Sequence, residues 1–519
     1  MMKEIFFKNN SANRKSLGSS TEVVPTETTV SEFLEVKGKV LKEYTLKDVD
    51  PILSLVNVTV VSSGGKGYYL ISEPSMSPDD VKVVGTIVDY VYSSMPTIEE
   101  DRGTFFSQKR KIMDYVKEVE EEMELVDNSL DVSKVTYFVL REMSYSGISP
   151  MIFDPLVEEI EVTSSEKPVT VVHRDFTEFF RLETNVRFSS ERDLMRFVEK
   201  ISDFGGRDVS IANPMQDFIL KEGHRVAVTY GNEVSLPGTT LDIRKHPEEP
   251  FTIVDLLRFG TITIPEAVYM WIIAEARKFM LIVGPTGSGK TTLLNSVLML
   301  LNPNAKFLTI EDTPELKLSN EVWVRLFTRT LNFDTGKEID MADLVKLSLR
   351  YRPDYIIVGE IRGSEMGYLV QAVSTGHGGL TTFHGGNVED MKTRIVSLLS
   401  DTVSKEFKNL LSSVVVIKNT TDYLSKKQVR KVTGIWESVG EGFEQIMSYE
   451  SGGVSLSPQL KDAMNLMGWD ENILWKEVKR RGELLSFMVK RNMSSYHEIS
   501  STLSEFYLYP EAMERRMEA

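Results

Sequence analysis

The chain has no cysteine at all. Disulfides and thiolate zinc sites are therefore excluded. Histidine is scarce: there are six, and no two stand at the helical spacing of a metal-ligand pair. A basic excess is missing as well. The formal net charge is -16, the opposite of the footprint a dedicated nucleic-acid binder needs. No stretch reaches the roughly 20 apolar residues that cross a bilayer. The nearest run, 267–284, is interrupted by Glu275, Arg277 and Lys278. The first twenty residues hold no apolar core of signal-peptide length, and no internal repeat is visible. The expectation is a soluble, intracellular protein that reaches a membrane only through a partner.

What the chain does have is length and an ordinary composition. At 519 residues, 41% hydrophobic and 26% charged, it is sized for about two to four domains. Residues 1–31 are rich in Ser, Thr and Asn and read as a disordered tail. Residues 32–145 carry β-rich runs (NVTVVSS, GYYLIS) and then a helical segment. There Ile112, Val116, Val119, Met123 and Val126 recur at steps of four and three, one apolar helix face. The acidic run KEVEEEMEL between them reads as the solvated face. Residues 146–246 mix helices with short strands, a second small α+β domain; VTYFVLREM, just before it, is also helical. The prolines of HPEEPFT mark a linker, assigned to 247–262. Strands and helices alternate through 263–425, the pattern of a mostly parallel sheet. Residues 426–519 read as helical and polar, with anchors such as Trp469 and Trp475.

One segment carries explicit chemistry. Phe279–Val283 is a short apolar run that reads as a buried strand, and TTLLNSVLMLL is a good helix. Between them Gly284, Gly289, Lys290 and Thr291 satisfy G-x-x-x-x-G-K-[ST] in the strand–loop–helix setting that motif requires. Glycines let backbone N–H groups turn toward phosphate oxygens, and the helix N-terminus adds partial positive charge. Lys290 is placed to reach the β- and γ-phosphates of a nucleotide, and Thr291 to ligate Mg²⁺.

Such a loop works with carboxylates. In YRPDYIIVGEIRG, Glu360 stands just past a buried strand, where it can hold Mg²⁺ or its water. In AKFLTIEDTPEL, Glu311 ends another strand and is the candidate to orient and deprotonate the attacking water. Asp312 beside it reads as a turn cap. In STGHGGLTTFHGG, His377 and His384 flank a strand, and His384 is the stronger candidate for sensing the γ-phosphate.

These four blocks, in this order, resemble the type II/type IV secretion and pilus-assembly ATPases, whose superfamily includes motors of archaeal pili and archaella. GPTGSGKTT corresponds to Walker A, TIEDTPEL to the Asp box, RPDYIIVGEIRG to Walker B and TGHGGLTTFHGG to the His box. FDPLVEEIEV, LKEGHRVAV and LDIRKH are similar to family elements further upstream. The resemblance covers roughly residues 150–425. It implies an α/β protein: a RecA-like P-loop NTPase domain preceded by smaller α+β domains, the second PAS-like. It implies ATP and Mg²⁺ as cofactors. Gly284, Pro285, Thr286, Gly287, Ser288, Gly289, Lys290, Thr291 and Thr292 would bind nucleotide. Thr291 and Glu360 would serve the metal, and Glu311 would be the general base, with His384 near the γ-phosphate. Arg225 and Arg244 would reach the nucleotide from the N-terminal part of the chain. Arg329, Arg350 and Arg352 are weaker candidates.

The family resemblance further implies a hexameric ring. It would be cytoplasmic, peripheral to the inner face of the cell membrane. Its partner would be a polytopic membrane platform protein, with pilin-like subunits engaged indirectly and no nucleic acid. The missing four-cysteine zinc element, Thr313 before Pro314 and TFHGGN bring the chain closer to archaeal members. The A-I-R-N-L element of retraction motors is absent, which favours assembly or export. The alternatives are a conjugation or DNA-transport ATPase, a RecA-like translocase, or a nucleotide-binding scaffold that switches without turnover.

Overall fold

The alternation expected of half-buried strands is plain in VEEIEV and RVAVT, whose inward positions Val157, Ile160, Val162, Val226 and Val228 are buried. The computed structural model describes residues 28–30, 36–94, 112–114, 116–118, 131–246, 249–329, 338–361, 363, 365–421, 428–440, 442–449 and 453–518. The chain divides into two units, Met1–Glu248 and Glu249–Ala519.

The first unit is built on a nine-stranded sheet. In chain order its strands are β1 (Lys39–Thr45), β2 (Asn57–Ser63), β3 (Lys66–Ser72), β4 (Val157–Val162), β5 (Thr170–His173), β6 (Leu182–Thr184), β7 (Met215–Ile219), β8 (Arg225–Thr229) and β9 (Thr240–Arg244). Their spatial order is β1-β2-β3-β6-β5-β4-β9-β8-β7, antiparallel throughout except for the parallel pair β3–β6. That pair corrects the expected boundary at 145/146. Asn185, just after β6, locks it by accepting from Ile71 N and donating to Ile71 O, both at 2.8 Å. One apolar core runs from Leu46 to Ile243. The two expected N-terminal domains are therefore one. The physical reason is the edge of β3, whose backbone groups are satisfied by a strand more than a hundred residues downstream.

Two helices of this unit, α1 (Val132–Met143) and α2 (Glu191–Phe204), are set by side-chain caps at Asp131 and Ser190. On α1, Arg141 is buried between Glu73 at 2.5 Å and Glu142 at 2.7 Å. Of the expected acidic-faced helix, Ile112 and Val116 are buried; Val119, Met123 and Val126 lie outside the described residues. So does most of the expected tail, except Thr28–Val30, a short strand against Val186–Phe188.

The second unit holds an eight-stranded sheet. Its strands are β10 (Phe279–Gly284), β11 (Phe307–Glu311), β12 (Trp323–Phe327), β13 (Tyr355–Ile361), β14 (Gly378–His384), β15 (Leu411–Thr421), β16 (Gln428–Val439) and β17 (Gly442–Met447). The order is β12-β11-β13-β14-β10-β15-β16-β17. Pairing is parallel from β12 to β15 and antiparallel for the last two strands. Every residue of β10 is buried, as a central strand covered on both faces requires.

Two expected boundaries shift here. The segment 247–262 contains the helix α3 (Ile253–Arg258), started by a capping box between Thr252 and Asp255. Residues 428–447 complete the sheet rather than beginning a helical region. The helices come later: α9 (Pro458–Leu466), α10 (Glu471–Lys490), α11 (Tyr496–Leu508) and α12 (Pro510–Glu518), after α4 (Ile264–Glu275), α5 (Lys290–Met299), α6 (Met341–Ser348), α7 (Glu365–Ser374) and α8 (Val388–Leu398) earlier in the unit. They pack on α4. Arg481, 2% exposed, pairs with Glu275 at 2.5 Å and lies over the Trp271 ring. The Trp271 indole donates to the Tyr507 hydroxyl at 2.7 Å, which donates to Leu300 O at 2.9 Å. Trp469 joins this core and Trp475 stays exposed. Among the described residues no helix is long and apolar enough to cross a membrane.

Candidate functional site

Because strands β10, β11, β13 and β14 run parallel, the turns that follow them leave from one edge of the sheet. Side chains far apart in sequence meet there. After β10 the backbone must turn sharply into α5, and it does so with Gly287 at φ +73° and Gly289 at φ +92°. Those left-handed conformations suit glycine. The Ser288 hydroxyl closes the turn by donating to Pro285 O at 2.8 Å. Thr291 and Thr292 are half-buried in the first turn of α5.

Lys290 is 8% exposed. Its Nζ donates to Pro285 O at 3.2 Å and lies 3.6 Å from Glu360 Oε1. Glu360 emerges where β13 breaks register with β14, between Val358 and Ile361. Such a bulge re-aims a side chain. The carbonyls on its approach are satisfied by two buried threonines of β14: Thr381 donates to Val358 O and Thr382 to Gly359 O, both at 2.7 Å. That is a structural account of the paired threonines between the two histidines.

Glu311 ends β11 and is 2% exposed. Its Oε1 accepts the backbone N–H groups of Glu315 at 3.0 Å and Leu316 at 2.9 Å. Among the described residues its Oε2 is buried with no hydrogen-bond partner. Burial pushes this carboxyl up to about 7, partly offset by the two amide donors and by the Arg325 charge. Gly359 leaves room for it: a Cβ there would stand 3.2 Å from Glu311 Cγ. A buried carboxylate titrating near neutrality, with one oxygen anchored and the other unpartnered, is suited to take a proton.

His384 pairs in register with Gly284, and its Nδ1 lies 3.4 Å from Thr286 Oγ1. His377 sits at the other end of the same strand, where Nδ1 is 2.9 Å from Thr375 Oγ1 and 3.0 Å from Ala372 O. Seven residues of strand at about 3.3 Å each separate the two rings' edges by about 20 Å. His377 is a turn residue, outside the site. Asp312 accepts the Thr328 hydroxyl at 3.0 Å. Arg329 follows β12 on the edge where the glycine loop leaves β10, while Arg350 and Arg352 precede β13 and stand at the opposite one. Arg225 and Arg244 face each other in register on β8 and β9 of the first unit, and Arg225 is paired with Asp217.

One site residue was not anticipated. Arg430, on β16, donates from Nε to Gly287 O at 3.1 Å and so braces the phosphate loop. The alternation of QVRKVTGIWESV was the signal for that strand.

The fit to nucleotide rests on these features: inward-turning glycines, a buried lysine, two carboxylates and a helix starting at the loop. A family model described as "Type II/IV secretion system protein" matches residues 153–440. The chain belongs to the type II/IV secretion system protein family. Members of this secretion family are ATPases. An uncharacterized protein of Methanocaldococcus jannaschii is 28% identical over 518 residues, 92% of each chain. A second uncharacterized protein of that organism is 30% identical and covers 70% of this chain, which spans about half (51%) of its length. A putative conjugal transfer protein of Mycobacterium tuberculosis is 31% identical over 226 residues, 41% of this chain and 63% of its own. Among solved structures, the Legionella pneumophila ATPase DotB aligns over 69% of this secretion-family chain and 95% of its own, at 19% identity and a TM-score of 0.42.

Proposed function

We propose that this chain hydrolyses ATP as its magnesium complex. It works as a hexameric motor at the inner face of the cell membrane, driving assembly of a pilus-like filament or protein export through a polytopic platform protein. The observation that carries the reading is the meeting of Lys290, Glu360, Glu311 and His384 at the edge from which the phosphate loop leaves β10.

The residues divide the work. Backbone N–H groups from Gly284 to Thr292 cradle the phosphates, with Gly284, Pro285, Thr286, Gly287, Ser288 and Gly289 shaping the loop. Lys290 exchanges its present partners for phosphate oxygens, a charge-assisted contact. Mg²⁺, held by Thr291 and Glu360, would neutralise phosphate charge. Glu311 holds the proton of the attacking water on Oε2 while Oε1 stays anchored. His384, beside Thr286, reports on the γ-phosphate. Arg225 and Arg244 are assigned, on the family resemblance, the role of adding positive charge that matters most in the transition state.

Steady-state phosphate release measured together with solution mass, with and without ATP–Mg²⁺, tests this. Turnover that needs Lys290 and rises with a six-subunit species is the expected result. Lys290→Ala should weaken nucleotide binding at least about ten-fold; unchanged affinity would remove Lys290 from the site. The conjugal-transfer name of the mycobacterial relative favours a second reading, a DNA-transport ATPase. DNA-stimulated hydrolysis that falls steeply with salt would put that reading first.

A further inference from the structure

The loop after Glu311 is held from three sides. Its first anchor is Glu311 itself, through the amides of Glu315 and Leu316. The second is the helix of the phosphate loop: Lys317 N donates to Asn295 Oδ1 at 2.9 Å, and Asn295 is 3% exposed. The third comes from α11. The Tyr496 hydroxyl donates to Lys317 O at 3.0 Å, and the Ser500 hydroxyl donates to Ser319 Oγ at 2.5 Å. Tyr496 and Ser500 stand four residues apart, on one face of that helix. Both lie beyond residue 440, where the family match ends.

We propose that Tyr496, aided by Ser500, is a positioning residue for ATP hydrolysis: α11 fixes the 315–319 loop, whose amides aim the Glu311 carboxylate. The inference rests on reading Glu311 as the base. Backbone N–H groups are the only donors to Glu311 Oε1 among the bonds described, so their direction is set by where the loop is tethered. Two tethers act on the same residue, Lys317: one on its N–H and one on its carbonyl. The two peptide groups flanking Lys317 are thus each held, and that restraint passes to the Leu316 amide one residue before. Losing the α11 tether lets Leu316 N–H swing, and a misplacement on the ångström scale is expensive in catalysis.

The test uses the full chain and five variants: Tyr496→Phe, Ser500→Ala, their combination, Glu311→Gln, and that combination with Glu311→Gln. Phosphate release gives kcat and KM, ADP titration gives affinity, and thermal melting checks the fold. The Tyr496→Phe/Ser500→Ala pair should lower kcat about ten-fold while KM and ADP affinity stay within about two-fold. With Gln at 311 the same pair should change the residual turnover less than about two-fold, because it acts through a group already removed. An undiminished kcat in the pair takes α11 out of the mechanism. A ten-fold loss repeated in the Gln background shows action by another route and overturns the proposal. If the pair fails to fold, Tyr496→Phe, which keeps the ring packing, is read alone by the same criteria. Glu311→Gln alone, with wild-type turnover, would remove the base assignment and this inference with it. A crippled Glu311→Gln beside an unaffected pair removes only the inference.

Discussion

The two sheets use their strand ends differently. In the first unit neighbouring strands mostly run antiparallel, so successive turns leave from opposite edges and gather nothing. Its charges serve the fold: Arg141 is buried between Glu73 and Glu142, and the exposed Arg181 reaches Glu161 through Nε at 2.5 Å. In the second unit six strands run parallel, and one edge collects a lysine, two glutamates and a histidine from segments up to a hundred residues apart. There Glu311 keeps an oxygen with no hydrogen-bond partner among the described residues. Charges matched to each other hold a structure together, whereas an unmatched group at a shared edge is available to a ligand.

That contrast can be tested by breaking each side. The largest effect should come from Glu311→Gln, which lowers turnover about 10²–10⁴-fold with nucleotide affinity near normal. Phosphate release and ADP titration decide it, and wild-type turnover would end the role of Glu311. In the unaltered chain, turnover should rise as pH climbs through about 7, where the Glu311 carboxyl ionises. Next comes Arg141→Met, which leaves Glu73 and Glu142 without their cation. It should cost about 3–5 kcal/mol in denaturant unfolding, and a loss under about 1 kcal/mol would show that the pair does not hold the first unit together.

A smaller effect separates stability from turnover at one residue. Burial raises the Glu311 carboxyl from 4.5 to about 7, so the folded state binds a proton the unfolded chain releases. Its favourable contribution is present below the unfolded value and is lost as pH rises through about 7. At pH 8 the buried carboxylate then costs about 3 kcal/mol. Glu311→Gln should therefore be more stable than the parent at pH 8, with the gain shrinking toward pH 4.5. A pH-independent difference would mean that the carboxyl is not perturbed by burial. The smallest effect belongs to His377→Asn, which should leave turnover within about two-fold because the residue serves a turn at the far edge. A large loss there would mean that the two ends of β14 are coupled.

The nucleotide edge was the most legible part of the sequence because its signals are local. FMLIVG is short, apolar and followed at once by the glycine loop. Glu311 and Glu360 each close such a run. What was hidden depends on partners distant in the chain. No pattern near Gly67–Tyr69 announces pairing with Leu182–Thr184, so one sheet read as two domains. Strands β16 and β17 close the sheet at its edge and carry alternating polar residues. Their charge dominated the reading, and Arg430 was missed with them. His377 and His384 looked equivalent on a Gly- and Thr-rich segment. The seven-residue strand that follows His377 and ends in His384 places them at opposite edges.

The contact of Trp271 with Arg481 and Tyr507 bears on what counts as a domain here. The family match stops at residue 440, but the apolar core under α4 is closed by side chains from 460 to 513. The family match and self-sufficiency therefore have different borders in this chain. A fragment cut where the family match ends would expose an indole, a buried guanidinium's acidic partner and a row of aliphatic side chains to water. Whatever else the last helices do, they are also part of the floor on which the second unit's sheet is laid.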